Sequence, residues 1–113
     1  MNGARAPQAY DRDKLVELFG DDPATLAEVE REFLDTARTA EREIKETDDF
    51  TIIARAAHRL KGASGMIGAA SLRQIAEALE RAAKAEDLVT VRRLREMFSH
   101  EVCRVAEQAG IPD

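Results

Sequence analysis

One of the two histidines, His58, lies among residues whose types point to chemistry. Lys61, Gly62 and Gly65 follow it at offsets of three, four and seven residues, so they share its face of a helix. A neutral imidazole is a good nucleophile near pH 7. Each glycine inside a helix costs about 1 kcal/mol relative to alanine, but it also leaves the surface beside the histidine without a side chain. The pattern therefore predicts an exposed histidine that another protein can approach closely.

The opposite side of this helix is apolar or small. At roughly 100° per residue, the stripe consists of Ile53, Ala56, Leu60, Ala63, Ser64 and Ile67. The stripe predicts a core-facing side, which leaves His58 facing solvent. The glycines could instead permit close packing of helices. For Gly65, packing and access are equally open, whereas Gly68 is expected to end the helix.

Positive charge is concentrated around His58. Residues 51–76 contain no Asp or Glu but carry Arg55, Arg59, Lys61 and Arg73. A segment charge of +4 in a chain of net charge −5 leaves −9 elsewhere, so an anion is electrostatically favoured at His58. Arg55 lies one turn before His58 and is a candidate contact for such an anion. Arg59 lies well away from that face and is expected to be a solvated charge.

The segment resembles the histidine-containing phosphotransfer (HPt) domain of bacterial multistep phosphorelays. The pattern of that family is a histidine, a lysine three residues on, a glycine directly after it, small residues and further glycines. The matching positions are His58, Lys61, Gly62, Ala63, Ser64, Gly65 and Gly68, followed by the apolar Leu72. The resemblance extends from about Asp11 to Ala109.

This resemblance implies a phosphoryl carrier without kinase activity of its own. His58 would accept a phosphoryl group from the aspartate of a receiver domain and pass it to another receiver, and an exposed histidine needs no buried base for this attack. Lys61 would supply charge to the phosphoryl oxygens. The implied partners are response-regulator receiver domains and a hybrid histidine kinase. The family pattern assigns no role to Arg55, which we expect to contribute to partner docking with Gly62 and Gly65.

No metal or cofactor is expected in the chain itself. No carboxylate cluster suited to Mg²⁺ accompanies His58, so Mg²⁺ would come with the partner receiver. His100 and Cys103 have a spacing that metal ligands can have, but two ligands do not make a site. An independent enzyme is disfavoured because the sequence has no P-loop, nucleotide-binding glycine loop or catalytic dyad. The alternative is a helical adaptor that docks on a receiver or kinase without transferring a group.

Length and composition indicate one small domain. The chain has 113 residues, of which 44% are hydrophobic and 4% aromatic, so we expect a single aliphatic core. It has no apolar run of about eighteen residues and no signal peptide, and its single cysteine, Cys103, cannot form an internal disulfide. We therefore expect a cytoplasmic monomer without membrane contact. The pI of about 5.1 argues against nucleic-acid binding.

Five helical segments are separated by short connections, without strand alternation. Residues 1–10 are expected to form a flexible leader and residues 11–110 the domain. A short helix from about Asp11 to Phe19 precedes a long helix, which Asp22 and Pro23 open and which ends near Glu46. The predicted core stripe of the long helix is Leu26, Val29, Phe33, Ala37, Ala40 and Ile44. Its acidic residues are assigned to the solvated face: Glu28, Glu30, Glu32, Glu41, Glu43 and Glu46.

Capping residues predict where the remaining helices begin. Asp48 or Asp49 caps the helix that carries His58, Ser71 and Gln74 form a capping box for the fourth helix, and Asp87 starts the last. The inward residues of these last two helices are Ile75, Leu79 and Ala82, then Val91, Leu94, Phe98, Val102 and Val105, with Gly110 as the end. Four long amphipathic helices with short loops predict an all-α, antiparallel up-down four-helix bundle. The short first helix is expected to lie across one end.

Overall fold

A computed structural model describes residues 8–112 of the chain, which form five α-helices and no strand. The helices are α1 (Arg12–Phe19), α2 (Pro23–Lys45), α3 (Phe50–Met66), α4 (Ala70–Lys84) and α5 (Leu88–Ala109). The predicted all-α fold class is therefore confirmed. Within the described residues, no helix is both long enough and apolar enough to cross a lipid bilayer.

Aspartates begin four of the helices, as their positions predict. The side chains of Asp11, Asp22, Asp49 and Asp87 accept hydrogen bonds from backbone N–H groups in the first turn of α1, α2, α3 and α5. Of the two candidates before α3, Asp49 is the cap. These bonds satisfy N–H groups that have no partner inside the helix.

The predicted capping box of Ser71 and Gln74 is wrong. Gly68 adopts φ 71°, and the Ala69 N–H donates to the Ser64 carbonyl at 2.9 Å, so α3 ends in the tight turn that glycine favours. The chain then re-enters a helix at Ala70, with Ala69 as a cap that makes no side-chain hydrogen bond. Ser71 is consequently already inside the first turn of α4.

The long helices form a closed ring of contacts. Helix α2 packs against α3 and α5, α4 packs against the same two helices, and α1 packs against α2. The predicted stripe of α3 faces the core, where Ile53, Ala56, Leu60, Ser64 and Ile67 are buried and Ala63 is half-buried. The core is aliphatic and rich in alanine. Because alanine side chains are short, the helices can lie close together, and contacts between them supply much of the packing.

The predicted solvated face of α2 is corrected at one residue, which contacts the segment before α1. Glu30 does not lie on the solvated face of α2, because it is buried and accepts a hydrogen bond from the Tyr10 hydroxyl. Burial and the adjacent Glu30 raise the pKa of Tyr10. The predicted flexible leader lies mostly outside the described residues, but Ala9 and Tyr10 at its end are buried. Both of their N–H groups reach Gln108 Oε1, at 2.6 and 3.3 Å.

Candidate functional site

His58 lies on the exposed side of α3, two turns before the helix ends. Its side chain is 66% exposed, and its Nδ1 lies 3.0 Å from Oε2 of Glu80 on α4. The turn at Gly68 leaves only residues 67–69 between α3 and α4, which brings the second half of α4 back beside His58. The predicted exposure of the histidine is confirmed.

Glu80 is the central residue of a small charged cluster that the sequence pattern does not predict. Its side chain is only 10% exposed, and Lys61 Nζ lies 2.9 Å from Oε1 while Lys84 Nζ lies 3.2 Å from Oε2. The Lys61 hydrogen bond, supported by Lys84 and His58 and opposed by burial, lowers the pKa of Glu80 to about 2. Glu80 is therefore ionised near pH 7.

The ionised carboxylate determines the tautomer of His58. A carboxylate only accepts hydrogen bonds, so His58 Nδ1 must carry the proton that Glu80 Oε2 accepts. In the neutral ring Nε2 then holds the lone pair, and it makes no hydrogen bond with any residue that the structure describes. The exposed nitrogen is thus the one able to attack an electrophile.

Gly62 leaves open space beside His58. A Cβ built at Gly62 meets no atom of residues 8–112 within 4 Å, and the residue is exposed in the interior of α3. Helix packing therefore does not account for this glycine. At Gly65, the only described side chain or backbone that an added Cβ would contact is the Arg73 side chain, at 3.6 Å, so close packing of helix backbones does not account for Gly65 either.

Gly68 differs from these two glycines. It ends α3, as predicted, in the left-handed conformation. A Cβ there would lie 2.8 Å from Cβ of Asp11, the cap of α1, so Gly68 also allows α1 to approach the end of α3. Its role is structural, and it lies outside the cluster around His58.

The arginines of α3 have different environments. Arg55 is exposed and makes no hydrogen bond or ion pair with the described residues. With Lys84 and Thr51 it lines an open cavity of about 630 Å³ between α3 and α4. Arg59 is exposed, as predicted, but it is more than a solvated charge, because it pairs with both oxygens of Glu43 on α2 at 2.8 and 2.9 Å.

An apolar groove lies where α3 meets α1 and α2. Phe19 of α1, Phe33 of α2 and Met66 of α3 line its cavity of about 290 Å³. Phe19 and Met66 are 40% and 56% exposed respectively. Met66 lies one helical turn beyond Gly62. The charged cluster and the apolar groove both adjoin α3, the first together with α4 and the second together with α1 and α2.

The second histidine belongs to a different part of the molecule. His100 lies exposed on α5, which packs against α2 and α4. Within residues 8–112, no group of three or more His, Cys, Asp or Glu side chains is arranged to hold a metal ion. His100 and Cys103 both belong to α5, whereas the His58 cluster is formed by side chains of α3 and α4.

The open space at Gly62 leads to a first prediction. Gly62→Leu should raise the free energy of unfolding by up to about 1 kcal/mol, because leucine is a better helix former than glycine. It should also slow any reaction that brings a partner's reactive group to His58, by about tenfold. Thermal unfolding and the rate of the partner reaction measure the two effects.

Gly62→Ala is the matched control for this prediction. Alanine supplies the gain in helix propensity without the bulk, so this variant should be stabilised and should react at nearly the normal rate. A Gly62→Leu protein that is destabilised yet reacts normally would show that Gly62 serves packing instead of access.

Comparison with known proteins gives one match. The family model described as Hpt domain matches residues 14–108, which include every residue of the His58 cluster. No curated protein and no solved structure was found to match the chain.

Proposed function

The chain belongs to the Hpt domain family, and we propose that it carries a phosphoryl group on His58 between the aspartates of two receiver domains. The observation that supports this most strongly is the pairing of an exposed histidine with a nearly buried carboxylate, at 3.0 Å. This pairing leaves Nε2 as the nucleophile and keeps it accessible to a partner.

The proposed reaction is an attack of His58 Nε2 on the phosphorus of an aspartyl phosphate. A P–N bond forms as the P–O bond to the aspartate breaks, and the aspartate leaves as a carboxylate with the bonding electron pair. The ring becomes positively charged because Nδ1 keeps its proton. Glu80 stabilises that charge through the hydrogen bond it accepts. In the reverse direction, the charged ring is a good leaving group for transfer to the next aspartate.

Lys61 is proposed to stabilise the phosphoryl group during transfer. It lies one turn after His58 on the same helix, and its side chain is 29% exposed while its ammonium contacts Glu80. A lysine in this position can rotate towards phosphoryl oxygens attached to Nε2, where charge-assisted hydrogen bonds are strong. We propose that Lys61 exchanges Glu80 for the phosphoryl group as the P–N bond forms.

Docking is proposed to use the surface around His58 and the apolar groove. A receiver would place its aspartate over the open surface at Gly62 and contact the apolar groove at Phe19 and Met66. It would also approach Gly65 and Arg55, which makes no ion pair with the described residues. We propose that the receiver supplies Mg²⁺ and that the chain needs no cofactor of its own. The ring of contacts among α2, α3, α4 and α5 supports an antiparallel four-helix bundle as the scaffold. We propose a cytoplasmic monomer that works with receivers and a hybrid histidine kinase.

Reconstitution with purified components tests this function. The pure protein should stay unlabelled with ATP and Mg²⁺ over hours, because the reaction with ATP needs a phosphate-binding loop and a metal site. It should become labelled within minutes once a cognate kinase and receiver are added. Binding to the receiver without labelling would support the adaptor instead, and self-labelling in a kinase-free preparation would indicate an enzyme.

A further inference from the structure

Glu80 has more cationic partners than its role beside His58 requires. Oε1 accepts from Lys61, whereas Oε2 accepts from both His58 Nδ1 and Lys84 Nζ. Lys84 follows Glu80 by four residues on α4, so its contact with Glu80 does not depend on α3. We propose that Lys84 is a positioning residue that holds Glu80 when Lys61 turns to the phosphoryl group.

The need for such a residue follows from burial. The Glu80 side chain is only 10% exposed, so water can replace a lost partner only in part. If Lys61 left Oε1 and no lysine remained, a carboxylate with little access to water would keep only the hydrogen bond from His58 to Oε2, and Oε1 would have no donor. That loss would oppose the movement of Lys61.

Lys84 has the geometry to prevent this loss. Its side chain is 67% exposed, so its long stem can move with little steric hindrance. A small displacement of Nζ from Oε2 would let it contact both oxygens of Glu80. Oε1 would then retain an ammonium donor when Lys61 moves away, and the carboxylate would stay in place to accept from His58.

This inference rests on the proposed function. In it, the effect of Lys84 on transfer depends on the movement of Lys61 away from Glu80. The test measures phosphoryl transfer from a labelled receiver at saturating receiver concentration, in Lys61→Met, Lys84→Met and the double variant. Lys84→Met should lower the maximal rate about fivefold, without changing the receiver concentration that gives half of that rate. In the Lys61→Met background the same change should have little further effect.

The controls separate this role from a general effect of surface charge. Lys84→Arg should restore most of the rate, because arginine also donates to a carboxylate. Arg81→Met removes an exposed i,i+4 pair with Glu77 on the same helix and should leave the rate unchanged. Circular dichroism should show the same helix content in all of these variants.

Three outcomes would overturn the inference. A Lys84→Met protein that transfers at the normal rate shows that Glu80 needs no second lysine. Effects of the two lysines that multiply in the double variant show that Lys84 acts independently of Lys61. A normal chain that accepts no label from any cognate receiver overturns the proposed function, and this inference with it.

Discussion

His58→Gln should abolish phosphoryl acceptance while the protein stays folded. Glutamine has no nucleophilic nitrogen, so transfer from a receiver should fall by at least about three orders of magnitude. The side chain lies outside the core and is 66% exposed. Loss of its one hydrogen bond to Glu80 should therefore cost about 1 kcal/mol of unfolding free energy. Transfer of labelled phosphate and chemical denaturation measure the two quantities.

His100→Gln is the matched control for this variant. His100 is exposed on α5, which is not among the helices that form the His58 cluster, so the change should leave acceptance intact. Full labelling of His58→Gln, or loss of labelling in His100→Gln, would show that the phosphoryl group is carried elsewhere.

Glu80→Ala should slow transfer by about 100-fold. The change removes the acceptor that fixes the proton on His58 Nδ1 and the charge that stabilises the ring as it becomes positive. Glu80→Gln keeps an oxygen that can accept from Nδ1 but loses the charge, so a smaller decrease of about tenfold is expected. Glu77→Ala, on the same helix, should transfer normally because Glu77 pairs, among the described residues, only with the exposed Arg81.

The difference in stability between the unchanged protein and Glu80→Ala should depend on pH in a defined way. Folding lowers the pKa of Glu80 from 4.5 to about 2, so its favourable contribution is complete above about pH 5 and is lost as the pH falls towards 2. Denaturation at pH 7 should show Glu80→Ala less stable than the unchanged protein by about 1–2 kcal/mol, and the difference should shrink at pH 3. A normal transfer rate in Glu80→Ala would contradict the role of Glu80 in fixing the proton on His58 Nδ1 and stabilising the charge of the ring.

Local signals predict most of the helices. Aspartate caps act within a few residues, so Asp11, Asp22, Asp49 and Asp87 mark the helix starts correctly. The predicted capping box at Ser71 is wrong because the turn at Gly68 returns the chain to a helix at Ala70, before Ser71 could act as a cap. The exposed position of His58 is likewise readable from the periodicity of one helix.

Contacts between helices are harder to predict. Glu80 lies next to the apolar positions of α4, and its only local signal is Lys84 four residues later, a common pair on solvated helices. Its pairing with His58 depends on the register between α3 and α4, which periodicity within either helix does not specify. Glu30 is similar, because its partner Tyr10 comes from the segment before α1. Buried charges that pair across elements therefore need the tertiary structure.

Return of the phosphoryl group tests the central claim most directly. The protein is labelled from a phosphorylated receiver and purified, the site is mapped by mass spectrometry, and a fresh unphosphorylated receiver is then added. The account predicts an acid-labile, base-stable phosphate on His58 that leaves the chain and appears on the receiver aspartate. A label that maps to another residue, or one that stays on His58 with every cognate receiver, would contradict it.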